Sequence, residues 1–542
     1  MRIKIKGNVI YTYSVRRLIY ALCFLLFCVI DQRSKTCSGL DGWLETFRDL
    51  TGIVMAVIIV SHYRPEEFKK WKIPYLVWSV VCLIGAPIAF WWGMRNRPFL
   101  NDWVVVVLDV ILYGYILIHT FISVFLEKKY PKLNRRFFAA WLIMATLMLI
   151  SRSTYIWPFC YLVMFGCFYL TDYSEDEQED LFQGMLDGII LGFFVLQGLC
   201  FVFRPYDIVR YKGFFANPNW NALFLLEVLA AVFAKILYAT KNNAGKWVKV
   251  YYWVGAGVVL SYELMTIGRA GWLTAIVLIA AFLSFLKKVQ ISVRWWKKLA
   301  VLSLCVVLTF PLCFGAARYL PPVFHHPVWL WGEWSEEKVH SWDAWDSEKY
   351  IDLDEYMTAA LGRIFDSFTN LLEHSPFSMK VDAAEDIEIA DPSHEEPEEE
   401  ENLPPNKIPV LSEDQSQNDA FLVRSIIYSY YFRHLNFWGH PYEEQGFQLQ
   451  KNYWIGHAHN IFLQYGTDFG VPFMLLFAAV IVWGAVLFWR QFKRDGSPAL
   501  AAAWMYLLIP AVFGMFEYSW GVGSLSILMM FVAWRKAVCS GE

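Results

Sequence analysis

Apolar residues along this chain come in long unbroken runs rather than in alternation or on one helical stripe. Runs of roughly 15 to 22 residues recur, each able to cross a hydrocarbon layer about 30 Å thick when helical. About fourteen can be placed. Their centres lie near Leu25, Ala56, Leu83, Leu112, Met144, Val163, Phe193, Val228, Val258, Ile279, Val307, Ala478, Leu508 and Met529. Helices 1–11 are expected within residues 1–317 and helices 12–14 within 459–542. Between them, residues 318–458 form one hydrophilic excursion of roughly 140 residues, too long for an idle connection. The pattern predicts an all-α polytopic membrane protein.

Composition agrees, with 57% of residues apolar and 18% charged, against about 25% charged in soluble proteins. The distribution of Lys and Arg then orients the chain. Alternate loops are basic: Arg2 to Arg17, Arg64 to Lys72, Lys128 to Arg136, Lys241 to Lys249, Lys287 to Lys298, Arg490 to Arg494, and Arg535 with Lys536. By the positive-inside rule these face the cytoplasm, so both termini are cytoplasmic and residues 318–458 lie outside. The acidic stretch from Thr171 to Asp180 falls on the inner side, but acidic residues count little in setting topology. The first run follows Arg16 and Arg17 and has no convincing small-residue cleavage site after it, so it reads as a retained anchor. Of ten cysteines, only Cys37 is clearly expected outside, and no disulfide framework is implied. The formal net charge of −3 singles out no partner, and no nucleic acid is expected.

Within the large loop, Tyr319 to Tyr356 carries Trp329, Trp331, Trp334, Trp342 and Trp345, as a cap lying against a membrane would. Residues 382–405 contain the run Glu398 to Glu401 and few large apolar residues, a composition that cannot offset chain entropy and reads as disordered. Order is expected again from Phe421 to Leu435, as a helix. There is no internal repeat and no Walker, Rossmann or zinc-finger pattern.

Four polar constellations fall on the predicted outer side. In the first, Arg210 and Lys212 precede Gly213, Asn217, Pro218 and Asn219. The two amides could cap the next helix or bind a sugar hydroxyl. The second is Thr266 to Gly271, where Arg269 could engage a ligand or snorkel to headgroups. The third is Arg424 with Arg433, His434 and His440; Arg424 sits on a helix anchored by Ile426, Ile427 and Tyr430. The fourth is His457, His459 and Asn460, at the mouth of an apolar run that begins near Val471. Glu227 and Glu263 lie inside apolar runs, where acids tend to be functional; Glu263 could instead pair with Arg269.

Arginine holds phosphate through a planar fork and keeps its charge, so several can carry a pyrophosphate leaving group without a metal. Neutral imidazole can take a proton from an attacking hydroxyl. The combination suits glycosyl transfer from a lipid pyrophosphate at the outer face. The outer acids lack metal-ligand spacing, so neither a divalent cation nor another cofactor is expected.

The chain resembles the O-antigen ligase and O-antigen polymerase superfamily of bacterial integral membrane glycosyltransferases over roughly Tyr206 to Trp534. The resemblance rests on His459-Asn460 followed by Gly470 before a late helix, on Gly213-Phe-Phe-Ala-Asn-Pro-Asn219, on Gly268-Arg269, and on Arg424 followed by Leu435-Asn-Phe-Trp-Gly439. Gly268 stands where the family has Ser, and Phe473 where ligases often have a small or hydroxyl residue. Gly362-Arg363 fits the loop pattern nearly as well as Arg424, so Arg363 remains the alternate.

The resemblance implies a C-type glycosyltransferase-like helical fold in a bacterial cytoplasmic membrane. It also implies an inverting, metal-independent transfer from an undecaprenyl-pyrophosphate-linked glycan. Arg269 and Arg424 would hold the pyrophosphate and His459 would lie near the acceptor hydroxyl. Arg210, Lys212, Asn217, Asn219, Arg363, His457 and Asn460 would bind substrate. The expected activity is polymerisation of lipid-linked repeat units into a surface polysaccharide. Ligase-type transfer to a lipid, protein or wall acceptor, or transport of lipid-linked sugars, are the alternatives. Membrane lipid, a flippase and a chain-length regulator of the same pathway are the expected partners.

The orientation is checked by cysteine labelling. A cysteine at Ser393 should react with an impermeant thiol reagent on cells stripped of their outer barrier, while one at Ser497 should not. The reverse pattern overturns the topology.

Overall fold

The computed structural model describes residues 2–5, 8–12, 14–31, 54–59, 69–96, 103–153, 157–201, 206–207, 210–213, 215, 217–289, 294–323, 353–373, 420–441, 444–450, 453–517 and 525–539. The acidic stretch 382–405, Cys37 and the tryptophans from Trp329 to Trp345 lie outside the described residues.

The protein is a mostly helical membrane protein. Its long helices are α1 (Val15–Asp31), α2 (Lys72–Asn96), α3 (Trp103–Phe121), α4 (Arg135–Ile150), α5 (Trp157–Phe165), α6 (Glu175–Cys200), α7 (Pro218–Lys241), α8 (Lys246–Met265), α9 (Arg269–Val289) and α10 (Trp295–Val323). After these come α11 (Leu353–Glu373), α12 (Ala420–Arg433), α13 (Ile461–Phe469), α14 (Val471–Asp495), α15 (Pro498–Val512) and α16 (Leu525–Val538). Each predicted run centre falls in a helical residue. Among the described residues, six helical segments are long and apolar enough to cross a membrane by themselves: α6, α7, α9, α14, Trp295–Pro321 and Pro498–Met515. Helix α10 continues through Val323, past the boundary expected at 318, and carries Arg318 buried in its last turns. Strand structure is confined to three two-stranded antiparallel ribbons among the described residues, one of them Phe447–Gln450 with Tyr453–Ile455.

Helix α7 is the axis of the bundle. Its apolar window is 94% buried, against 22% for Trp295–Pro321, which faces outward. It packs on α6, α8, α9 and α15. Such all-round burial is what a helix apolar on every side requires.

Helices α1 and α6 form the most extensive helix pair. Gly184, Gly188 and Gly192 of α6, spaced by four, lie on one face and let the backbone of α1 approach. A Cβ at Gly184 would sit 2.6 Å from Tyr20 Cβ, and one at Gly192 2.6 Å from Cys28 Cβ. At the same end of this pair, Asp187 of α6 accepts from Arg17 of α1 (Nε, 2.9 Å) and from the buried Lys235 of α7 (2.5 Å). Lys235 also donates to Gln183 Oε1 at 2.6 Å. Two cations share one carboxylate and a neutral amide, which satisfies charges that would be costly if left alone among apolar helices.

Gly188→Ala should weaken the α1–α6 seam, because the new methyl meets the Ala21 carbonyl. A loss of about 1–3 kcal/mol is expected, read as a lower unfolding temperature in detergent. Gly198→Ala, on the same helix with nothing within 4 Å of the added Cβ, should show no such loss.

Candidate functional site

Four helix termini meet at one end of the bundle, and each is built by its own sequence. Asn217, in extended backbone, caps α7 by accepting from Asn219 N at 2.7 Å, and Pro218 fills the first helical position, where no amide hydrogen is needed. Asn217 is therefore a helix cap, one of the two roles expected for it. Asn460 does the same for α13, accepting from Phe462 N (2.9 Å) and Leu463 N (3.1 Å). His459, just before it, has φ +47°, a left-handed conformation that histidine tolerates better than most residues. Gly470, at φ +93°, separates α13 from α14; a side chain there would collide with the Phe437 carbonyl. Val471 N donates to Asn436 O at 2.9 Å and His440 N to Thr467 O at 2.7 Å. The Leu435–Gly439 turn and the glycine ten residues beyond Asn460 are thus two halves of one packed corner.

Glu517 lies where these termini converge. It follows α15, its side chain is 7% exposed, and it is the only charged residue between Asp495 and Arg535. Oε1 accepts from Asn219 Nδ2 at 2.6 Å and from Arg424 Nη2 at 3.0 Å; Oε2 lies 3.1 Å from His459 Nδ1. Asn219 Oδ1 in turn accepts from Arg210 Nη2 at 2.6 Å, and Arg210 Nε donates to the Thr266 carbonyl at 2.8 Å. Asn460 Nδ2 donates to Met515 O at 3.0 Å, and the Tyr428 hydroxyl lies 3.0 Å from the same oxygen, binding α12 and the His459 turn to the end of α15. Burial alone would raise the Glu517 carboxyl. The hydrogen bond from His459 and the charges of His459, Arg424 and His457 outweigh it and hold the carboxyl below its ordinary range. Glu517 is an anion.

Of the expected residues, Arg210, Asn219, Arg424 and His459 join this network directly. Asn217 and Asn460 shape its helix ends. The His457 ring lies 4.2 Å from that of His459. Lys212 is half-buried beside Gly213, which has φ +55°. Arg269 opens α9 next to Gly268 and is exposed. Arg363, on α11, donates to the Ile267 carbonyl at 3.4 Å, and Tyr356 of the same helix donates to Leu264 O at 3.0 Å. Ile267 has φ +49°, strained for a β-branched residue, so α11 clamps the turn that Arg210 holds from the other side. Arg424 thus meets Glu517, and Arg363 meets the adjacent turn.

Among the intramembrane acids, Glu227 accepts from Ser526 of α16. Glu263 is buried against Gly271, and neither of its oxygens has a hydrogen-bond partner among the described residues, so it does not pair with Arg269. Arg424 owes its placement to Ile427 and Tyr431, buried with Phe447, Ile455 and Ala458 in a separate small core under α12.

No protein-family model, characterised protein or solved structure matches the chain. Among the described residues, no three His, Cys, Asp or Glu side chains are grouped to hold a metal ion.

Beneath the site, α13 carries a buried polar chain. Gln464 accepts from Ala458 N at 2.8 Å and donates to Asp468 Oδ1 at 2.8 Å. Burial lifts the Asp468 carboxyl from 3.8 to about 7, against the pull of hydrogen bonds from Gln464 and Gln445. The folded state then binds a proton more tightly than the unfolded chain. Its stabilising contribution is complete below the ordinary carboxylate range and is lost as pH rises towards 7. Asp468→Asn should remove this slope: relative to the variant, wild type should lose thermal stability between about pH 4 and 7 and stay level above.

Proposed function

We propose that this protein is a glycosyltransferase acting at the outer face of a bacterial cytoplasmic membrane, with about fourteen spans and both termini inside. It would join undecaprenyl-pyrophosphate-linked oligosaccharides into a surface polysaccharide. The observation that carries this reading is the Glu517 network. It collects Arg424, His459, Asn219 and, through Asn219, Arg210 from segments hundreds of positions apart and sets them at one end of the apolar bundle.

The chemistry follows from the donors and acceptors. Because Glu517 is ionised and can only accept, the His459 nitrogen facing it, Nδ1, carries the hydrogen. The lone pair is then on Nε2, which makes no hydrogen bond among the described residues, on a side chain 26% exposed. As the acceptor hydroxyl attacks the anomeric carbon, Nε2 takes its proton. The bond from that carbon to pyrophosphate breaks, and the electron pair leaves with the phosphate. Glu517 steadies the imidazolium that forms, as a carboxylate does beside any imidazole base. Arg424, Arg210 and Arg269 take up the charge on the leaving group through guanidinium forks. Displacement in one step inverts the anomeric centre.

The test is a reconstituted reaction of purified protein with its lipid-linked oligosaccharide. A ladder of glycan lengths is expected from wild type and none from Arg424→Ala or His459→Ala. Glu517→Gln should lower kcat about 10²- to 10⁴-fold, with partial recovery in Glu517→Asp. A single product formed only with a separate acceptor would make the enzyme a ligase. No product, with lipid-linked sugar still crossing the bilayer in the variants, would overturn the reading in favour of transport.

A further inference from the structure

At the opposite, basic end of the bundle, a groove of about 650 Å³ opens between the start of α4 and the last turns of α14. Its rim carries Arg135, Arg136 and Arg490, and its floor is Leu133, Trp483, Val486 and Leu487. The loop entering α4 is fixed on two sides. Asn134 caps the helix through Arg136 N (3.0 Å) and Phe137 N (3.1 Å), and Asn134 N donates to the Val538 carbonyl of α16 at 3.0 Å. The Trp483 ring stacks near Phe137, 6.3 Å between centroids. The groove is therefore held by three helices.

What sets this place apart is that three arginines line one opening. Several other cations at the same end are paired with carboxylates: Arg16 with Glu177, Arg17 and Lys235 with Asp187, Lys129 with Glu127. Arg135, Arg136 and Arg490 have no carboxylate within ion-pair distance among the described residues, and all three are exposed. Three cations around one opening repel one another and call for an anion.

The surface leading away from the groove is apolar. Phe138 and Leu142 follow on α4, one and two turns from Arg135, and Val486 and Val482 precede Arg490 on α14; all four are exposed. A cationic rim that runs into an apolar track along two helices is amphiphilic in the same sense as a phospholipid. A free phosphate would use the rim and leave the track in water.

The geometry points to a binding site for an anionic phospholipid of the leaflet at the basic end, its phosphate on Arg135, Arg136 and Arg490 and its acyl chains along Phe138, Leu142, Val482 and Val486. Guanidinium forks suit the phosphodiester, and Trp483, which lines the same groove, offers the kind of indole ring that favours a headgroup boundary. The site is independent of the glycosyl-transfer reading. Occupied, it would cement α4 to α14, and α14 leads back to the Gly470 corner at the other end.

Native mass spectrometry of the full-length protein in detergent tests this, titrating phosphatidylglycerol or phosphatidylcholine. Wild type should retain one phosphatidylglycerol at concentrations where phosphatidylcholine does not bind. The triple variant Arg135→Gln, Arg136→Gln, Arg490→Gln should bind it roughly 100-fold more weakly. Arg294→Gln with Lys297→Gln, exposed cations on another loop of the same end, should bind as wild type does. Equal loss in both variants, equal retention of the two lipids, or displacement by glycerol phosphate as effectively as by the lipid would each overturn the proposal. The last result would mean a site for a small anion.

Discussion

Hydrocarbon offers a peptide group no hydrogen-bonding partner, and the arrangement of this protein follows from that constraint. Backbone polarity is satisfied inside helices, so side-chain polarity is expelled to helix ends or must be neutralised where it stands. Lys235, Asp187 and Arg17 show the second solution: they tie α1, α6 and α7 through two cations on one carboxylate. The Glu517 network shows the first, at the other end of the same central helix. Helix α7 thus carries a structural ion cluster near its C-terminus and a candidate reaction centre at its N-terminus.

The candidate site is rigid because each of its groups is held by something that is not substrate. Asn217 and Asn460 are occupied in capping, Gly470 and Gly439 let the α13–α14 corner close on the Leu435 turn, and a small core under α12 aims Arg424. Glu517 is held by three donors and holds them in return. A buried carboxylate fixes orientation in this way: its two oxygens accept from fixed directions, and every donor lost leaves charge uncompensated. What remains uncommitted is Nε2 of His459, whose ring shares the Glu517 carboxylate with Arg424.

The two ends also differ in how they treat cations. At the candidate site, arginines are gathered around a carboxylate that balances part of their charge. At the groove between α4 and α14 three arginines have no carboxylate partner among the described residues, and the proposed phospholipid would supply the negative charge.

The helical segments were legible in the sequence because transfer of an apolar run is a local property, summed over about 20 residues and indifferent to the rest of the chain. The same is true of the caps at Asn217 and Asn460, and of a helix near Arg424. The residues that meet were less legible. Glu517 could have been noticed as the one charge in a long apolar stretch, yet nothing local says that it faces His459. Arg210 proved to be the arginine that links Asn219 to the Thr266 turn, and Glu263 stood without the ion pair that its spacing from Arg269 suggested. The contact between Asn219 and Glu517 joins positions 298 residues apart. Partners at that separation are chosen by how helix ends superpose once α7 is enclosed, and by the glycines that set how closely α1 approaches α6. The sequence by itself determined a membrane-spanning helical chain with polar groups at its helix mouths, because hydrophobic transfer and capping act over neighbouring residues. Only the tertiary structure decided that one carboxylate would gather those groups, because a hydrogen bond needs its two atoms about 3 Å apart and chain order does not encode that distance.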